Sequence, residues 1–434
     1  MRNTYGKRIA VIGAGIAGLS AAWLLSRQYA VTLFEANGYL GGHTHTVDVT
    51  LDGVTAPVDT GFLVFNDRTY PNLIALFDHL GVRSCASDMS FSVRIEAANV
   101  EWAGSNLATV FAQRRNLLRP QFWGMLSDIL RFNREATALA HSGCTPATLG
   151  EFLDAGAYGR AFREWYLLPM AGAIWSCPTT AMLDYPAQTF CAFCHNHGLL
   201  QVSDRPQWRT VSGGGRTYVE RLAAGIGEIR LNSPVRGITR RLNGPLVRLA
   251  GGESRAFDAV VLACHSDQAL RLLDDADEAE RSVLGAIRYQ DNEVILHTDR
   301  RFLPRARSAW SAWNYHAERG ADPAQPVGVS YLINQLQPLP FRRPVMVTLN
   351  PGNPPHPETV IDRYQYAHPV FDRAATDAQA RLRRLQGRRD TWFCGAWAGY
   401  GFHEDGLKAG MAVAADLGAS APWLAQPATW KAAA

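Results

Sequence analysis

The chain has 434 residues, of which 47% are hydrophobic, and its formal net charge is +4 at pH 7. This length and apolar content suit a globular protein of two or three domains with a sizeable core. The net charge is too small to indicate nucleic-acid binding, and seven cysteines in a long chain do not indicate a disulfide framework. A reducing compartment is the simpler interpretation, so we expect a cytoplasmic protein.

The first predicted elements are a strand, a glycine turn, a helix and a second strand. A buried strand over residues 8–13 leads into Gly13, Gly15 and Gly18, spaced G-x-G-x-x-G. A helix is predicted over 19–26, and a strand over 31–34 ends at Glu35. In this order the elements are typical of a dinucleotide-binding unit. The glycines permit a tight turn, a close approach to a pyrophosphate and close helix packing, while the acid binds a ribose.

This N-terminal segment also has the basic and hydrophobic regions of a signal peptide, because Lys7 and Arg8 precede an apolar run. The glycine spacing explains the same residues better. We find no uninterrupted apolar stretch long enough to span a membrane.

A second glycine loop follows the acid directly. Gly41 and Gly42 precede His43, and this doublet lets the chain cross close to a bound nucleotide. An NAD dehydrogenase does not need such a loop, whereas FAD enzymes of the glutathione-reductase-like class do. Asp59 and Gly61 then suggest a strand end and a turn against the ligand, although an ordinary hairpin explains them equally well.

Residues near 71–200 are mostly helical in pattern, and 105–139 is the most distinctive part. Pro120 is predicted to separate two helices there. A basic amphipathic helix with aromatic residues can lie on a membrane, but a surface helix covering the core is the favoured interpretation. Five arginines alternate with apolar residues: Arg114, Arg115, Arg119, Arg131 and Arg134 among Leu117, Leu118, Phe122, Trp123, Met125, Leu126, Ile129 and Leu130.

Cys191, Cys194 and His195 match the C-x-x-C-H pattern of c-type haem attachment. With Cys177 and His197 nearby, the pattern also suggests zinc. We favour core packing of the cysteines, because export is not indicated and a second compact ligand pair is missing. We therefore predict no metal site.

The dinucleotide unit resumes after this insertion. A glycine loop at 213–215 enters a helix, and strands are predicted over 229–235 and 258–264. Between about 271 and 385 short alternating runs, such as 327–333 and 345–349, indicate a mostly antiparallel sheet. A last strand then enters a glycine-rich loop, and a helix beginning near Gly406 gives a second anion-stabilising N-terminus.

These motifs together resemble the flavin amine oxidase and phytoene desaturase superfamily, in particular a bacterial FAD/NAD-binding amine-oxidase-like branch. The resemblance is carried by Gly13–Gly18, Glu35, Gly41–Gly42, Asp59–Gly61, Val235 and Phe393–Gly410. It implies an α/β fold, α+β overall. A glutathione-reductase-like FAD-binding Rossmann domain (1–70, 205–270 and 385–420) would be interleaved with a substrate domain of mixed or antiparallel sheet and helices (71–204 and 271–384).

The resemblance also implies tightly bound, non-covalent FAD and a set of contacts. Val235 would meet adenine, and Gly61 and Phe62 would pass near the isoalloxazine. The amides of residues 405–407 would face the flavin N1–C2=O edge. The implied cofactor-binding residues are Gly13, Ala14, Gly15, Ile16, Ala17, Gly18, Glu35, Ala36, Gly41, Gly42, His43, Gly61, Phe62, Val235, Gly395, Ala396, Asp405, Gly406 and Leu407.

Three departures from the family pattern affect the reaction that we expect. His43 replaces the usual arginine of the second glycine loop, and Ala396 replaces a common acid. His403 falls where amine oxidases carry a tyrosine of their aromatic cage, so amine oxidation becomes less expected. We predict His403 and Tyr400 as catalytic residues. His403 would act as a general base or orienting donor, and the alternative is that it only packs.

The predicted function is an FAD-dependent oxidoreductase of the oxidase or desaturase type, acting on a C–H bond of an apolar or amphiphilic substrate, with fatty-acyl compounds as one candidate class. An amine oxidase, a non-redox flavin-dependent isomerase or mutase, and a flavin-binding scaffold stay open as alternatives. The predicted partners are a small molecule or lipid and no nucleic acid. Peripheral contact with the inner face of the membrane is a further expectation.

Overall fold

The computed structural model describes residues 6–142, 147–320, 322 and 324–425. The predicted domains also contain 1–5, 143–146, 321 and 323, which lie outside the described residues. The strands are β1 (Arg8–Ile12), β2 (Ala30–Phe34), β3 (Thr46–Leu51), β4 (Val54–Asp59), β5 (Phe65–Asn66), β6 (Ser84–Ala86), β7 (Phe91–Ile95), β8 (Val100–Ala103), β9 (Trp208–Val211), β10 (Glu228–Arg230), β11 (Val235–Arg241), β12 (Gly244–Leu249), β13 (Ser254–Ala256), β14 (Ala259–Leu262), β15 (Arg288–His297), β16 (Trp313–Ala317), β17 (Val329–Leu332), β18 (Met346–Leu349), β19 (Val360–Val370) and β20 (Thr391–Phe393). The α-helices are α1 (Ile16–Leu25), α2 (Pro71–Leu80), α3 (Leu107–Val110), α4 (Pro120–His141), α5 (Leu149–Ala155), α6 (Arg160–Phe162), α7 (Leu168–Trp175), α8 (Ala187–Asn196), α9 (Arg216–Ala223), α10 (Ser266–Leu272), α11 (Glu278–Leu284), α12 (Ile333–Leu336), α13 (Arg373–Leu382) and α14 (His403–Asp416).

A five-stranded parallel sheet holds the predicted dinucleotide unit, in the order β10-β2-β1-β14-β20. Its central strand β1 is covered on both faces, which explains its continuous apolar sequence. Helix α1 crosses α14 so closely that a Cβ on Gly410 would lie 2.4 Å from the carbonyl oxygen of Ala17. The predicted strand–turn–helix–strand order is confirmed, but α1 begins at Ile16, directly after Gly15.

The second large sheet has seven strands in the order β19-β15-β18-β17-β16-β7-β8. Its neighbours are antiparallel except β16 and β7, which pair in parallel. The strands expected in 327–333 and 345–349 are present as β17 and β18. The prediction of a mostly helical 71–200 is wrong for 84–103, which supplies β6, β7 and β8. Strand β7 pairs with β16, more than 200 residues away, and this partner leaves no local sequence signal.

Two core clusters extend across the expected domain boundaries. Helix α2 packs into the core of the parallel sheet, and α11 and α13 pack on the opposite face of that sheet. The hairpin β3–β4, expected in the Rossmann domain, instead packs on the seven-stranded sheet. These helices bury their apolar faces on the parallel sheet, across the boundaries expected near 71, 271 and 384.

The arginine-rich segment forms α3, a short 3₁₀ turn over 114–118, and α4. Pro120 occupies the first turn of α4, as expected for a residue that separates two helices. Among the described residues, no helix is both long and apolar enough to cross a bilayer.

Candidate cofactor and substrate site

One elongated cavity of about 1180 Å³ lies between the parallel sheet and the seven-stranded sheet. One end is formed by the carboxyl ends of β1 and β2, where open α/β sheets bind their ligands. The other end is formed mainly by aromatic side chains. The volume exceeds the ~300–1,000 Å³ of an ordinary small-molecule pocket, so the cavity has room for a dinucleotide together with a second molecule.

Glycine is required at the three positions of the first turn for different structural reasons. Gly13 has φ +100°, and a Cβ there would lie 2.9 Å from the carbonyl oxygen of Ala263. A Cβ on Gly18 would lie 1.9 Å from the carbonyl oxygen of Gly13. Gly15 has open space beside it and lines the cavity. Gly13 and Gly18 thus serve the turn and its packing, whereas Gly15 leaves room for a ligand.

Glu35 lies at the end of β2 and lines the same end of the cavity. Its Oε2 accepts the N–H of Ala14 at 2.8 Å, and its Oε1 accepts the N–H of Asn37 at 2.9 Å. Each carboxylate oxygen keeps acceptor capacity for a ligand hydroxyl. Ala36 and Val235 line the cavity with it.

The second glycine loop lies directly on the first. The N–H of Gly41 donates to the carbonyl oxygen of Ala14 at 2.8 Å, and a Cβ on Gly42 would lie 3.1 Å from Cα of Gly15. Gly61 lies close behind this loop, because a Cβ there would be 2.1 Å from the carbonyl oxygen of His43. The fold thus brings together segments that the sequence separates.

Three histidines gather beside this loop. The ring centroid of His43 lies 5.2 Å from that of His368 and 6.3 Å from that of His265. Nε2 of His43 is buried and has no hydrogen-bond partner among the described residues. Burial, followed by the neighbouring imidazoles, holds the pKa of His43 well below its usual range. Burial also lowers the pKa of His368 to about 4.

Sequence reasoning identified only His43 of these three. His265 directly follows the strand predicted over 258–264, so its place at a strand end was a signal that could have found it. His368 lies on β19 of the other sheet, and no local pattern relates it to the glycine loops.

His403 begins α14, and its ring stacks on Phe62 with 3.7 Å between centroids and 10° between planes. Its Nε2 lies 2.6 Å from the hydroxyl oxygen of Tyr218 and 3.0 Å from Oγ1 of Thr44. Burial lowers the pKa of His403 to about 3. The imidazole is therefore neutral near pH 7 and a weak base, which speaks against general-base catalysis.

The start of α14 bears on the expected position of the amides at 405–407, whose contacts with a flavin stay a prediction. Gly406 donates its N–H to the carbonyl oxygen of Phe402 at 3.1 Å, and Leu407 is buried in the core. Asp405 accepts the N–H groups of Tyr400 and Phe402, each at 3.1 Å, and burial raises its pKa to about 6. Only the first amides of a helix lack partners inside it, and in α14 these belong to residues 403–405. The part of this segment that lines the cavity is 401–403.

Of the predicted site residues, all line the cavity except Gly18, Asp405, Gly406 and Leu407. Gly395, Ala396 and Tyr400 line it together with Phe402. Aromatic residues distant in sequence line the cavity, among them Tyr166, Trp175, Trp313, Tyr331, Trp397 and Tyr400, whereas Trp165, Trp310 and Tyr315 do not. Further lining residues there are Phe91, Trp102, Met170, Ile174, Phe193 and Phe402.

Charged groups are scarce along this wall. Among the described lining residues, the carboxylates are Glu35 and Asp88, and Asp88 is held by the N–H of Ser90 at 3.0 Å near the surface. Arg205 lies at the aromatic end and donates from Nε to the carbonyl oxygen of Gln201 at 2.8 Å. The aromatic end therefore offers an apolar wall with a guanidinium near its mouth.

The C-x-x-C-H pattern lies on α8, and none of Cys191, Cys194 and His195 lines the cavity, although Phe193 between the two cysteines does. Cys191 and Cys194 are buried in the core of the helical region, and burial raises the pKa of Cys191 to about 12. Packed, protonated thiols match the core-packing interpretation.

Comparison with known proteins relates the chain to flavin-containing proteins. Residues 16–333 match the family model of flavin containing amine oxidoreductase. A carotenoid phi-ring synthase of Chlorobaculum tepidum is 30% identical over 169 residues, covering 37% of this chain and 23% of that relative. A putative flavin-containing monoamine oxidase AofH of Mycobacterium tuberculosis is 27% identical over 270 residues, covering 58% of this chain and 56% of that relative. The matches thus span about half of the curated relatives' own length, or less.

Solved structures with low sequence identity share the fold. A redesigned putrescine oxidase aligns with a TM-score of 0.69 and 18% identity, over 96% of this chain and 99% of the other. A fatty acid isomerase of P. acnes that produces CLA aligns with a TM-score of 0.66 and 15% identity, over 95% and 99%.

Proposed function

The chain belongs to the family of flavin-containing amine oxidoreductases, and we propose that it is an FAD-dependent oxidoreductase acting on a C–H bond of an apolar or amphiphilic substrate. The observation that carries this proposal is the division of one cavity into a glycine-lined end and an aromatic end. The first end suits a dinucleotide, and the second suits a hydrocarbon chain held against it.

The residues at the first end fit FAD. Gly15 leaves open space at the N-terminus of α1, where a diphosphate is stabilised by free amides and the helix dipole. Glu35 has acceptor capacity for a ribose, and Val235, which lines the same cavity, would meet the adenine. When bound, FAD supplies a hydride acceptor, which no side chain provides.

Non-covalent binding is supported by the two cysteines nearest the site. Cys264 lines the cavity, but burial raises its pKa to about 12, so its thiol stays protonated and unreactive. Cys394 is fully buried and does not line the cavity. Neither thiol is therefore suited to form a bond with a flavin.

The substrate class follows from the aromatic end. An ammonium group entering there would be desolvated, and the described lining residues offer it no carboxylate except Asp88 near the surface. An apolar chain has no such cost, and Arg205 can pair with an anionic head group at the mouth. A protein of this fold that acts on a fatty acid is known. These points favour an amphiphile with an anionic head over an amine.

His403 is then a positioning group and not a base. We assign the Tyr218 hydroxyl as donor to Nε2 of His403, which leaves the imidazole proton on Nδ1. Stacking on Phe62 fixes the plane of the ring at the edge of the cavity. A neutral N–H in a fixed direction can orient a substrate or cofactor oxygen without exchanging a proton.

An anaerobic titration of the FAD-loaded protein tests this function. The probes are oleic acid, methyl oleate and oleylamine, which share one chain and differ in the head group. We expect the visible flavin absorbance to bleach with the acid and with the ester, but not with the amine. Bleaching by oleylamine alone would support an amine oxidase. Conversion of the acid only after chemical reduction of the flavin would support an isomerase.

A further inference from the structure

Large apolar side chains are unusually exposed along α3, the following 3₁₀ turn and α4. We call this surface the α3–α4 patch; its members are Leu107, Leu117, Leu118, Trp123 and Leu130, which are 78%, 48%, 86%, 50% and 63% exposed. Single exposed apolar residues are ordinary, but a group of this size on adjoining elements indicates an interaction surface.

The members of the patch are neighbours in space. Trp123 donates from its indole nitrogen to the carbonyl oxygen of Leu117 at 3.0 Å. The ring of Phe111, which directly follows α3, lies 5.3 Å from that of Trp123. Leu130 is seven residues after Trp123, so both lie on one face of α4, opposite the buried Phe122 and Met125.

Positive charge surrounds these apolar residues. Arg115 and Arg119 both donate to the backbone carbonyl oxygen of Asn99, at 2.6 and 3.1 Å, and Arg114 is exposed. Within the described part of the chain, none of the three forms an ion pair with a carboxylate. Burial and the charge of Arg115 lower the pKa of Arg119. Within the residues that the structure describes, no carboxylate forms an ion pair that would neutralise Arg114, Arg115 or Arg119.

The patch adjoins the mouth of the cavity. Gly104 and Ser105 line the cavity, and α3 begins two residues later at Leu107. Trp102, on the preceding strand β8, lines the interior. A surface that touches the patch therefore also faces the opening through which a substrate enters the aromatic end.

We propose that the α3–α4 patch docks the protein on an anionic lipid bilayer, with Leu118 and Trp123 in the interfacial region and the arginines on the lipid phosphates. Leucine and tryptophan flanked by basic residues are the composition that binds such interfaces. A second copy of this chain fits less well, because a two-fold contact through the patch would bring the arginine cluster onto itself. This inference goes beyond the proposed chemistry, since docking needs no turnover.

Vesicle flotation of the full FAD-loaded chain tests the proposal. The vesicles are phosphatidylglycerol with phosphatidylethanolamine in one series, and phosphatidylcholine alone in the other. We expect binding to the anionic vesicles that weakens as salt is added, and much weaker binding to phosphatidylcholine. Equal binding to both, or to neither, would overturn the proposal.

Two variants locate the contact. Leu118→Asp should weaken binding to anionic vesicles by about tenfold or more, and Arg114→Gln by about fivefold with a smaller salt dependence. The matched controls lie in the turn between β11 and β12, where Leu242 is fully exposed and follows the exposed Arg241. Leu242→Asp and Arg241→Gln should bind as the parent does.

Three results would contradict docking through the patch. Leu118→Asp could bind within about twofold of the parent, or the control variants could lose binding equally. Alternatively, size-exclusion chromatography could show a dimer that Leu118→Asp dissociates, without any vesicle binding, which would assign the patch to a second copy. Flavin content and the unfolding midpoint of each variant establish that it is folded.

Discussion

The two ends of the cavity are built by different means. The nucleotide end consists largely of backbone. Its two glycine loops, which contain Gly13, Gly15, Gly41 and Gly42, lie close together and leave space for a ligand. The aromatic end consists of side chains from strands and helices spread between residues 91 and 402. Only glycine satisfies the first arrangement, whereas many apolar residues satisfy the second.

This difference predicts how each end responds to substitution. At the backbone end an added methyl group meets either backbone atoms that cannot move without shifting an element, or the space of the ligand. A substitution there should therefore strongly impair either folding or cofactor binding. At the aromatic end a side chain can be replaced and its neighbours can adjust, so effects should be graded. Substitutions at the two ends can therefore test the contrast.

The largest effect is expected for Gly18→Ala. The new Cβ would lie 1.9 Å from the carbonyl oxygen of Gly13, so α1 must shift against the turn. We expect a loss of about 3 kcal/mol or more in the free energy of unfolding, together with loss of FAD. Denaturant unfolding and released flavin measure the two quantities.

Gly124→Ala is the matched control for Gly18→Ala. Gly124 lies inside α4, and no atom lies within 4 Å of the place that an added methyl group would take. Alanine should therefore stabilise the protein by ~0.5–1 kcal/mol. Equal stability of Gly18→Ala and the parent would show that the close contact at the turn is not a constraint.

Gly15→Ala should separate binding from folding. Gly15 has φ −71° and ψ 179°, which alanine adopts without strain, and open space surrounds it. The free energy of unfolding without FAD should therefore stay within about 0.5 kcal/mol of the parent. FAD affinity should fall roughly 100-fold, about 3 kcal/mol, because the methyl group occupies the diphosphate space. Unchanged affinity in an equilibrium titration would place the diphosphate elsewhere.

The same contrast explains what the sequence could predict. The first sheet and the glycine loops were predictable, because positive φ and close backbone contacts restrict the residue type at Gly13, Gly18 and Gly41. The place of strand β7 in the second sheet was not, because β7 pairs locally with β8 but its other partner, β16, is distant in sequence. His368 was missed for the same reason, since it lies on β19 of the other sheet, whereas His265 follows a predicted strand and could have been found.

The prediction for residues 405–407 depends on where the last helix begins. The glycine-rich sequence around Gly406 indicated a helix start, but α14 begins three residues earlier at His403. Helix boundaries are set by which amides find partners, and here Asp405 caps the loop through its carboxylate. Residues 405–407 therefore lie about one turn further into the helix than the sequence indicated, and their contacts with a flavin stay a prediction.

His403→Gln should lower kcat by about tenfold while FAD content stays unchanged, because a positioned hydrogen-bond donor is lost. Since the pKa of His403 is about 3, the pH profile of kcat should keep its shape in the variant. Steady-state kinetics across the pH range check both statements. An inflexion near neutrality that is present in the parent and absent in His403→Gln would restore the general-base assignment.

Tyr218→Phe is a companion variant, since it removes the hydroxyl that lies 2.6 Å from Nε2 of His403. We expect a decrease in kcat of about threefold without loss of FAD, because the His403 ring keeps its stacking on Phe62. A larger loss than in His403→Gln would indicate that Tyr218 acts directly on the substrate.

Arg205→Gln should show the graded response of the aromatic end. Arg205 lines the cavity near its mouth, so its loss should raise KM for oleic acid by about fivefold. KM for methyl oleate should not change, because the ester carries no charge. The ratio of the two KM values is the measurement, and an equal increase for both substrates would show that Arg205 contributes only packing.

The smallest effect is expected at the imidazole cluster, where His43→Arg should change the pH dependence of FAD affinity. In the free protein, burial and mutual repulsion lower the pKa values of His43 and His368, so both are neutral near pH 7. A bound diphosphate is negative and would raise these pKa values, so binding takes up protons and affinity falls as pH rises. Burial also lowers the pKa of His265, on which Asp267 and Arg271 act in opposite directions.

We expect a loss of about threefold in FAD affinity between about pH 6 and about pH 8 in the parent, and none in His43→Arg, whose guanidinium is always charged. Equilibrium titration of the flavin-free protein gives the affinities, and His79→Arg, at an exposed histidine outside the cavity, is the control. A pH dependence that persists in His43→Arg would assign the proton uptake to other groups.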